Sequence, residues 1–134
     1  MTVCGVEIKG SEAIFALASQ QGHQPLAIKK IGLDDDELAS HVQAFMGQLQ
    51  AFVREHAITR LAVKKRSKKG EFAGGPTTFK IEGLLQLLDQ CEVTLVSPQT
   101  VSAYHKKNAF ELPGTLNKYQ HEAYKTARAV LSKG

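Results

Sequence analysis

The chain contains no tryptophan, only two cysteines and only four prolines among its 134 residues. Cys4 and Cys91 lie far apart and form no CxxC pair, which in a reducing compartment is typical of two small buried hydrophobic residues. No apolar stretch approaches the roughly 18 residues that span a bilayer. Glu7 and Lys9 interrupt the N-terminus where a secretion signal needs an apolar run. The sequence therefore predicts a cytoplasmic protein with reduced cysteines and no membrane partner.

The composition that is present belongs to a globular protein, with 43% hydrophobic and 22% charged residues. A chain of this length buries somewhat under ~70% of the surface that its unfolded form exposes, so an apolar core can stabilise it without disulfides or structural metals. Extended disorder is excluded by the same proportions. We expect one domain over residues 1–134.

The positive charge is concentrated in one segment. The chain carries 17 Lys and Arg against 13 Asp and Glu, a net charge of +4. Residues 60–69, here called the basic segment, hold six of the cations and no acid, so the rest of the chain has a net charge of −2. A local field of this kind attracts polyanions, although lysine runs in loops are as often only solvated surface.

A glycine-rich turn follows the basic segment and opens a predicted helix at Pro76. Backbone N–H groups at a helix start bind phosphate oxygens, and threonine hydroxyls add donors. The lysines precede the glycines and no Gly-Lys-Ser/Thr follows, so the turn is not a P-loop. Contacts of this type position a nucleic acid without reading its sequence. The predicted phosphate-binding residues are Lys64, Lys65, Arg66, Lys68, Lys69, Gly74, Gly75, Thr77 and Thr78.

Hydrophobic patterns predict an α/β fold with a five-stranded mixed sheet. The predicted strands are residues 2–8, 13–18, 26–33, 58–65 and 92–96, with a loop at residues 20–24. The predicted helices begin near residues 38, 76, 98 and 119, and the acids at 34–37 are expected to cap the first. This order of elements predicts a three-stranded antiparallel meander joined to two parallel strands, with helices on both faces.

Short motifs at the ends of these elements resemble a known superfamily. They are Gly5-Val6-Glu7 in the first strand, Leu61-Ala62-Val63-Lys64 in the fourth, Val96-Ser97-Pro98 before a helix, and Glu122-Ala123-Tyr124-Lys125 in the last helix. Together with the element order they resemble the ribonuclease-H-like superfamily, in its bacterial Holliday-junction resolvase branch. The whole chain resembles a small uncharacterised bacterial family, a domain of unknown function. The resemblance implies a ribonuclease-H-like fold and catalytic candidates at Glu7 and Glu122.

Lysines stand at two positions where the resemblance implies acids. Nucleases of this superfamily hold two divalent metals with clustered carboxylates, but here Lys64 and Lys125 accompany Glu7 and Glu122. At a few Å and an effective dielectric near ~20, each ammonium repels a cation by on the order of several kcal/mol. We therefore expect no metal and no cofactor. The leading hypothesis is a catalytically degenerate domain that binds nucleic acid or another polyanion through its basic, glycine-rich loop.

Three alternatives remain open at this point. A metal-dependent nuclease using Mg²⁺ or Mn²⁺ could recruit Glu71 or Glu82 as a replacement acid. An enzyme acting on a phosphorylated ligand could use the same cleft, with Glu7 as acid or base. A non-enzymatic homodimeric scaffold could present the basic segment to an acidic partner.

Overall fold

The structure is a computed structural model and describes residues 1–66, 75–108 and 112–132. Within these residues the strands are β1 (Thr2–Lys9), β2 (Glu12–Ser19), β3 (Gly22–Gln24), β4 (Lys30–Gly32), β5 (Arg60–Lys64) and β6 (Glu92–Val96). The helices are α1 (Ala39–Glu55), α2 (Pro76–Gln86), α3 (Pro98–Lys107) and α4 (His121–Leu131), the last preceded by a 3₁₀ turn at Lys118–Gln120.

The sheet is mixed, with β1 near its centre. Its order is β3-β2-β1-β5-β6; β1 pairs antiparallel with β2 and parallel with β5, and β5 pairs parallel with β6. A strand with neighbours on both sides and helices on both faces must be apolar, which explains why Val3, Cys4, Val6 and Ile8 have no exposed surface. The predicted fold class is confirmed.

The third predicted strand is shorter than expected and a further short strand precedes it, so the described sheet has six strands rather than five. β3 lies where a loop was predicted and pairs with the end of β2, whereas β4 takes only Lys30–Gly32 from the predicted 26–33 and pairs with the start of β2. Pro25 follows β3 directly. Proline has no N–H to donate to a sheet, so β3 ends at Gln24 and does not continue into β4.

Two apolar layers flank the sheet. α1 and α2 cover one face, where Phe15 and Phe52 stack with ring centroids 4.2 Å apart. α3 and α4 cover the other face, where most of the buried residues are small. The buried residues of this second layer include Val3, Ala16, Ala18, Ala62, Ala123, Tyr124, Ala127 and Val130. Helices therefore lie on both faces, as the sequence predicted.

The start signals predicted for α2 and α3 are confirmed, and the acidic cap predicted for α1 is not. Proline occupies the first turn of both α2 and α3, and Ser97 caps α3 by accepting the backbone N–H of Thr100 at 3.1 Å. The acids at 34–37 do not cap α1, which begins at Ala39 without a side-chain cap. Asp35 instead accepts the backbone N–H of Glu37 in a local turn, and such turns compete with capping. None of the described helices is long and apolar enough to cross a membrane.

Both cysteines are free thiols. Cys4 is fully buried in the layer beneath α1 and α2, and Cys91 is half-buried at its edge. Burial raises the pKa of each thiol above its ordinary value, and at Cys4 the charge of Cys91 adds to this effect. Neither residue therefore has the lowered pKa of a reactive cysteine.

Candidate functional site

Helix α4 packs directly on β1, and Gly5 makes this approach possible. A Cβ atom at Gly5 would lie 1.8 Å from the carbonyl oxygen of Ala123, far inside any allowed contact. Side chains alternate between the faces of a strand, so Glu7 projects from the same face as Gly5, towards the strand end. The glycine thereby fixes the start of α4 next to the glutamate.

The parallel pairing of β1 with β5 brings Lys64 to the same place. Val6 is in register with Val63, so Glu7 and Lys64 follow one position further along the two strands. Ala62 belongs to the layer beneath α4, and alternation puts Lys64 on that face too. The carboxyl ends of both strands therefore direct one glutamate and one lysine under the first turns of α4.

Four side chains meet at this edge, and we call them the charged cluster: Glu7, Lys64, Glu122 and Lys125. Lys64 Nζ lies 2.9 Å from Glu122 Oε1, and Lys125 Nζ lies 3.3 Å from Glu122 Oε2. The charges of Lys64 and Glu122 both act on Glu7. All four residues that the sequence singled out as the candidate catalytic set are thus brought together.

The cluster shifts the pKa values of its two carboxyls in opposite directions. Burial raises the pKa of Glu7; the charge of Lys64 opposes this and the charge of Glu122 adds to it. Burial also acts to raise the pKa of Glu122, but the hydrogen bond from Lys64 and the charges of Lys64 and Lys125 hold that pKa below its ordinary value. The difference arises because Lys64 donates its hydrogen bond to Glu122.

The described part of the basic segment continues from β5. The backbone N–H of Lys65 donates to the carbonyl of Val96 at 2.8 Å, which extends the pairing of β5 with β6, and its side chain is exposed. Arg66 is half-buried, and its charge also acts on Glu7. Lys68, Lys69 and Gly74, which the sequence placed in the phosphate-binding set, lie outside the described residues.

The three predicted phosphate-binding residues at the start of α2 differ in availability. Gly75 is exposed and precedes the helix in an extended conformation, and Thr77 is half-buried. Thr78 is only 3% exposed, and its hydroxyl donates to the carbonyl of Gly75 at 2.6 Å. The Thr78 hydroxyl is therefore not available as the phosphate donor that the sequence predicted.

Glu82 forms a hydrogen bond with the basic segment. Its side chain is buried, and Oε2 accepts the backbone N–H of Arg66 at 3.3 Å. The sequence suggested Glu82 as a replacement acid, but the charges that act on Glu7 do not include it; Glu71 lies outside the described residues. The hydrogen bond between Glu82 and Arg66 was not predicted from the sequence. A signal for the burial of the Glu82 carboxylate was present, because Thr78, Ile81, Glu82 and Leu85 recur at the spacing of one helix face.

The charged cluster does not fit the metal pair that the resolvase resemblance implies. It offers two carboxylates beside two ammonium groups, and both oxygens of Glu122 already accept from lysines. Mg²⁺ and Mn²⁺ are bound by oxygen ligands that are free to coordinate, and ammonium groups at the same carboxylates compete with the metal and repel it. In the described parts of the chain, no three His, Cys, Asp or Glu side chains are grouped as metal ligands.

Solved structures share this fold. A Thermus thermophilus RuvC in complex with a Holliday junction substrate superposes with a TM-score of 0.68 at 11% identity, covering 96% of this chain and 91% of that one. A second T. thermophilus RuvC structure gives a TM-score of 0.66 at 13% identity, covering 96% and 92%. At these identities the likeness establishes the ribonuclease-H-like fold.

The family comparison agrees with the fold. A search among curated proteins found no match to this sequence. Residues 1–130 match the profile of the family described as "Protein of unknown function (DUF3010)". The chain therefore belongs to the DUF3010 family, and its fold is that of the RuvC resolvases.

Proposed function

We propose that this protein binds the phosphate backbone of nucleic acids and does not hydrolyse it. The observation that carries the proposal is the 2.9 Å contact between Lys64 Nζ and Glu122 Oε1. It puts an ammonium group at the carboxyl end of β5, where a nuclease of this fold would need a carboxylate. The same group is a suitable partner for a phosphate.

Electrostatics supports the loss of catalysis. A divalent cation beside Glu7 and Glu122 would lie within a few Å of the ammonium groups of Lys64 and Lys125. Each such contact costs on the order of several kcal/mol at an effective dielectric near ~20. Because ~1.4 kcal/mol changes an equilibrium constant tenfold, this repulsion is enough to remove metal binding at ordinary concentrations.

Charge and fold together support a nucleic acid as the partner. Lys65 is exposed and directly follows Lys64 in the chain, and the basic segment carries six cations and no acid. The exposed Gly75 directly precedes α2, and the positive end of a helix dipole attracts phosphate. Pro76 carries no N–H, and the N–H of Thr78 donates to the carbonyl of Gly75. This attraction therefore comes from the dipole and from Thr77 rather than from all the first N–H groups. A RuvC of the same fold holds a Holliday junction substrate, which favours DNA among the polyanions that such a surface can bind.

The binding half of the proposal is tested by fluorescence anisotropy with labelled duplex, four-way-junction and single-stranded DNA, and with RNA, at two salt concentrations. We expect binding at low salt that weakens steeply as salt rises, since counterions are released from each contacted phosphate. Lys65→Glu should weaken binding about tenfold and lower the salt slope by about one to two. Absence of binding at low salt, or binding that salt does not weaken, would refute a phosphate-backbone interface.

A matched charge reversal shows whether the effect is local. Arg54 is exposed in the last turn of α1, which packs on the opposite face of the sheet. Arg54→Glu changes the net charge by the same amount as Lys65→Glu, so it should alter affinity much less. Equal losses would indicate a response to net charge alone and would count against this location.

The catalytic half is tested by incubating the same DNA substrates with protein and Mg²⁺ or Mn²⁺. We expect no cleavage, because the cluster holds ammonium groups instead of a metal site. Metal-dependent cleavage that disappears in Glu7→Gln would overturn this part and favour the nuclease alternative.

A further inference from the structure

We propose that Glu122 is an internal competitor for phosphate: its carboxylate occupies the position between Lys64 and Lys125 that a backbone phosphate takes when nucleic acid binds. This inference rests on the proposed function and deepens it, because it identifies one phosphate site and the residue that restrains it. Nucleic acid binds there by displacing the Glu122 carboxylate into water.

The geometry of the carboxylate is that of a bridging anion. One oxygen of Glu122 accepts from Lys64 at 2.9 Å and the other accepts from Lys125 at 3.3 Å. A phosphodiester also presents two oxygens on one group, and it makes the same charge-assisted hydrogen bonds to ammonium donors. The two lysines therefore already stand at the spacing that a backbone phosphate needs.

The site is open enough for the exchange. The side chains of Lys64, Lys125 and Glu122 retain 22%, 35% and 38% of their exposure. A glutamate that is partly in water can rotate outwards without crossing packed atoms. A phosphate can approach the ammonium groups from the same side.

The backbone that carries the lysines does not have to move. Lys64 is paired in register with Val96 at the end of β5. The start of α4 is held on β1 by Gly5 and anchored by Gln120, whose side-chain amide donates to the carbonyl of Phe15 at 2.8 Å. Only side-chain torsions of Glu122 change, so the two ammonium groups remain in position when its carboxylate leaves.

Glu7 lowers the electrostatic cost of replacing the Glu122 carboxylate by a phosphate. Its side chain is half-buried at the end of β1, and the charge of Lys64 acts on it. When Glu122 turns away, Glu7 stays as a counter-charge near the lysines. The cost of the exchange is then mainly the lost ion pairs of Glu122, and partly exposed pairs of this kind are weak.

The first experiment compares duplex DNA binding by the wild type, Glu122→Gln and Glu92→Gln. Glu92 is exposed and lies opposite Arg60 at the far end of β6, so its variant makes the same change in net charge away from the cluster. We expect Glu122→Gln to bind about fivefold more tightly than the wild type, the effect of removing a competing ion pair worth up to ~1 kcal/mol. An affinity no higher than that of Glu92→Gln would overturn the inference.

A double variant shows whether the gain passes through the lysine pair. Lys125→Met should weaken binding, and the gain from Glu122→Gln should be largely lost when it is combined with Lys125→Met, because the second ammonium that the gain requires is absent. A gain of undiminished size in the double variant would contradict the bridging arrangement.

The wild-type protein supplies a measurement that does not depend on any variant folding. The carboxyl carbon of Glu122, followed by NMR, should titrate below the ordinary pKa of a glutamate in the free protein. With saturating duplex DNA the carboxylate leaves both lysines, so its pKa should move back towards the ordinary value. A Glu122 pKa that stays depressed in the complex would show that the ion pairs persist, and would refute displacement.

The outcomes separate this inference from the proposed function. If the wild type binds no nucleic acid at low salt, the proposed function fails and the inference fails with it. If the wild type binds with a steep salt dependence while Glu122→Gln gains nothing over Glu92→Gln, the proposed function stands and the inference alone is wrong.

Discussion

The two faces of the sheet are built from different side chains. The face under α1 and α2 is filled by large ones, among them Phe15 and Phe52 in stacked contact and Phe45 beside them. The face under α4 is lined by glycine and alanine, including Gly5, Ala16, Ala62, Ala123 and Ala127. One layer is a thick hydrophobic core, and the other is a close contact between a helix and two strands.

This difference means that the stability of the fold and the position of the charged cluster depend on different faces of the sheet. Large buried side chains contribute most of the transfer free energy of folding. Small residues contribute less, but they allow the backbone of α4 to approach β1 so closely that Glu122 and Lys125 lie over the strand ends. The face under α1 and α2 therefore chiefly stabilises the fold, whereas the face under α4 determines the geometry of the charged cluster.

The largest expected effect tests the face under α1 and α2, which chiefly stabilises the fold. Phe52→Ala removes a fully buried ring that stacks on Phe15 and should lower the free energy of unfolding by about 3–5 kcal/mol. The charged cluster lies on the opposite face, so under conditions where circular dichroism shows the variant folded, its DNA affinity should equal that of the wild type. Chemical denaturation and anisotropy measure the two quantities. A large loss of affinity in the folded variant would show that the faces are not separate.

The next effect tests the face under α4, which positions the charged cluster. Gly5→Ala forces a methyl group against the carbonyl of Ala123 and should cost about 3 kcal/mol, the upper end of overpacking penalties, because backbone has to move. Displacing α4 should also separate Glu122 from Lys64, so the pKa of Glu122 should rise towards its ordinary value in an NMR titration. Phe52→Ala should leave that pKa unchanged.

Gly47→Ala is the matched control for this substitution. Gly47 is exposed inside α1, and nothing lies within 4 Å of a Cβ placed there. Alanine is favoured over glycine in a helix by up to ~1 kcal/mol, so this variant should be as stable as the wild type or more so. If both glycine substitutions had the same effect, close approach of α4 would not be the reason for Gly5.

Much of the fold could be predicted because its signals are local. The apolar run at residues 2–8 indicated a strand between two others, and Pro76 and Ser97-Pro98 indicated helix starts. The presence of two short strands, β3 and β4, on one edge of β2 depends on pairing with a separate segment of the chain, and for β4 that pairing is long-range. Pro25 was the one available signal.

The candidate site could be predicted as a set of residues but not as a network. Glu7 and Lys64 end parallel strands, and parallel strands end at the same edge of a sheet, so the pattern sufficed to bring them together. Which carboxylate accepts the lysines depends on the positions of side chains from three elements, so the opposite pKa shifts could not be predicted from the sequence. The contact of Glu82 with Arg66 likewise depends on how α2 is rotated against β5.

A smaller effect tests whether Lys64, on the face under α4, prevents the binding of a metal ion. Lys64→Glu places a third carboxylate next to Glu7 and Glu122 and removes one ammonium group. Without metal the variant should be less stable than the wild type by about 1–3 kcal/mol, since like charges repel in a partly buried site. Millimolar Mn²⁺ should restore up to ~3 kcal/mol to the variant by mass action and leave the wild type unchanged. Thermal melting with and without Mn²⁺ measures this, and an equal response of both proteins would show that Lys64 is not what keeps metal away.

The smallest effect concerns Glu7, the carboxyl of the cluster that burial disfavours. Its raised pKa means that the folded state binds its proton more tightly than the unfolded state does, so wild-type stability declines as pH rises through that pKa. Glu7→Gln lacks this decline and should be more stable above the raised pKa by roughly 0.5–1 kcal/mol, within the usual range of stabilising substitutions. Below the ordinary glutamate pKa the advantage should vanish.

The lowered pKa of Glu122 acts in the opposite sense, because its contribution is present at neutral pH and is lost as pH falls through the lowered value. That loss occurs in both proteins, so its main part cancels in the difference between Glu7→Gln and the wild type, and only the part due to repulsion between the two carboxylates remains. Urea denaturation between pH 4 and pH 8 yields this difference directly. A difference that grows as the solution becomes more acidic would mean that the lysines stabilise the Glu7 charge more than burial penalises it, and the distinction between the two carboxyls of the cluster would then be lost.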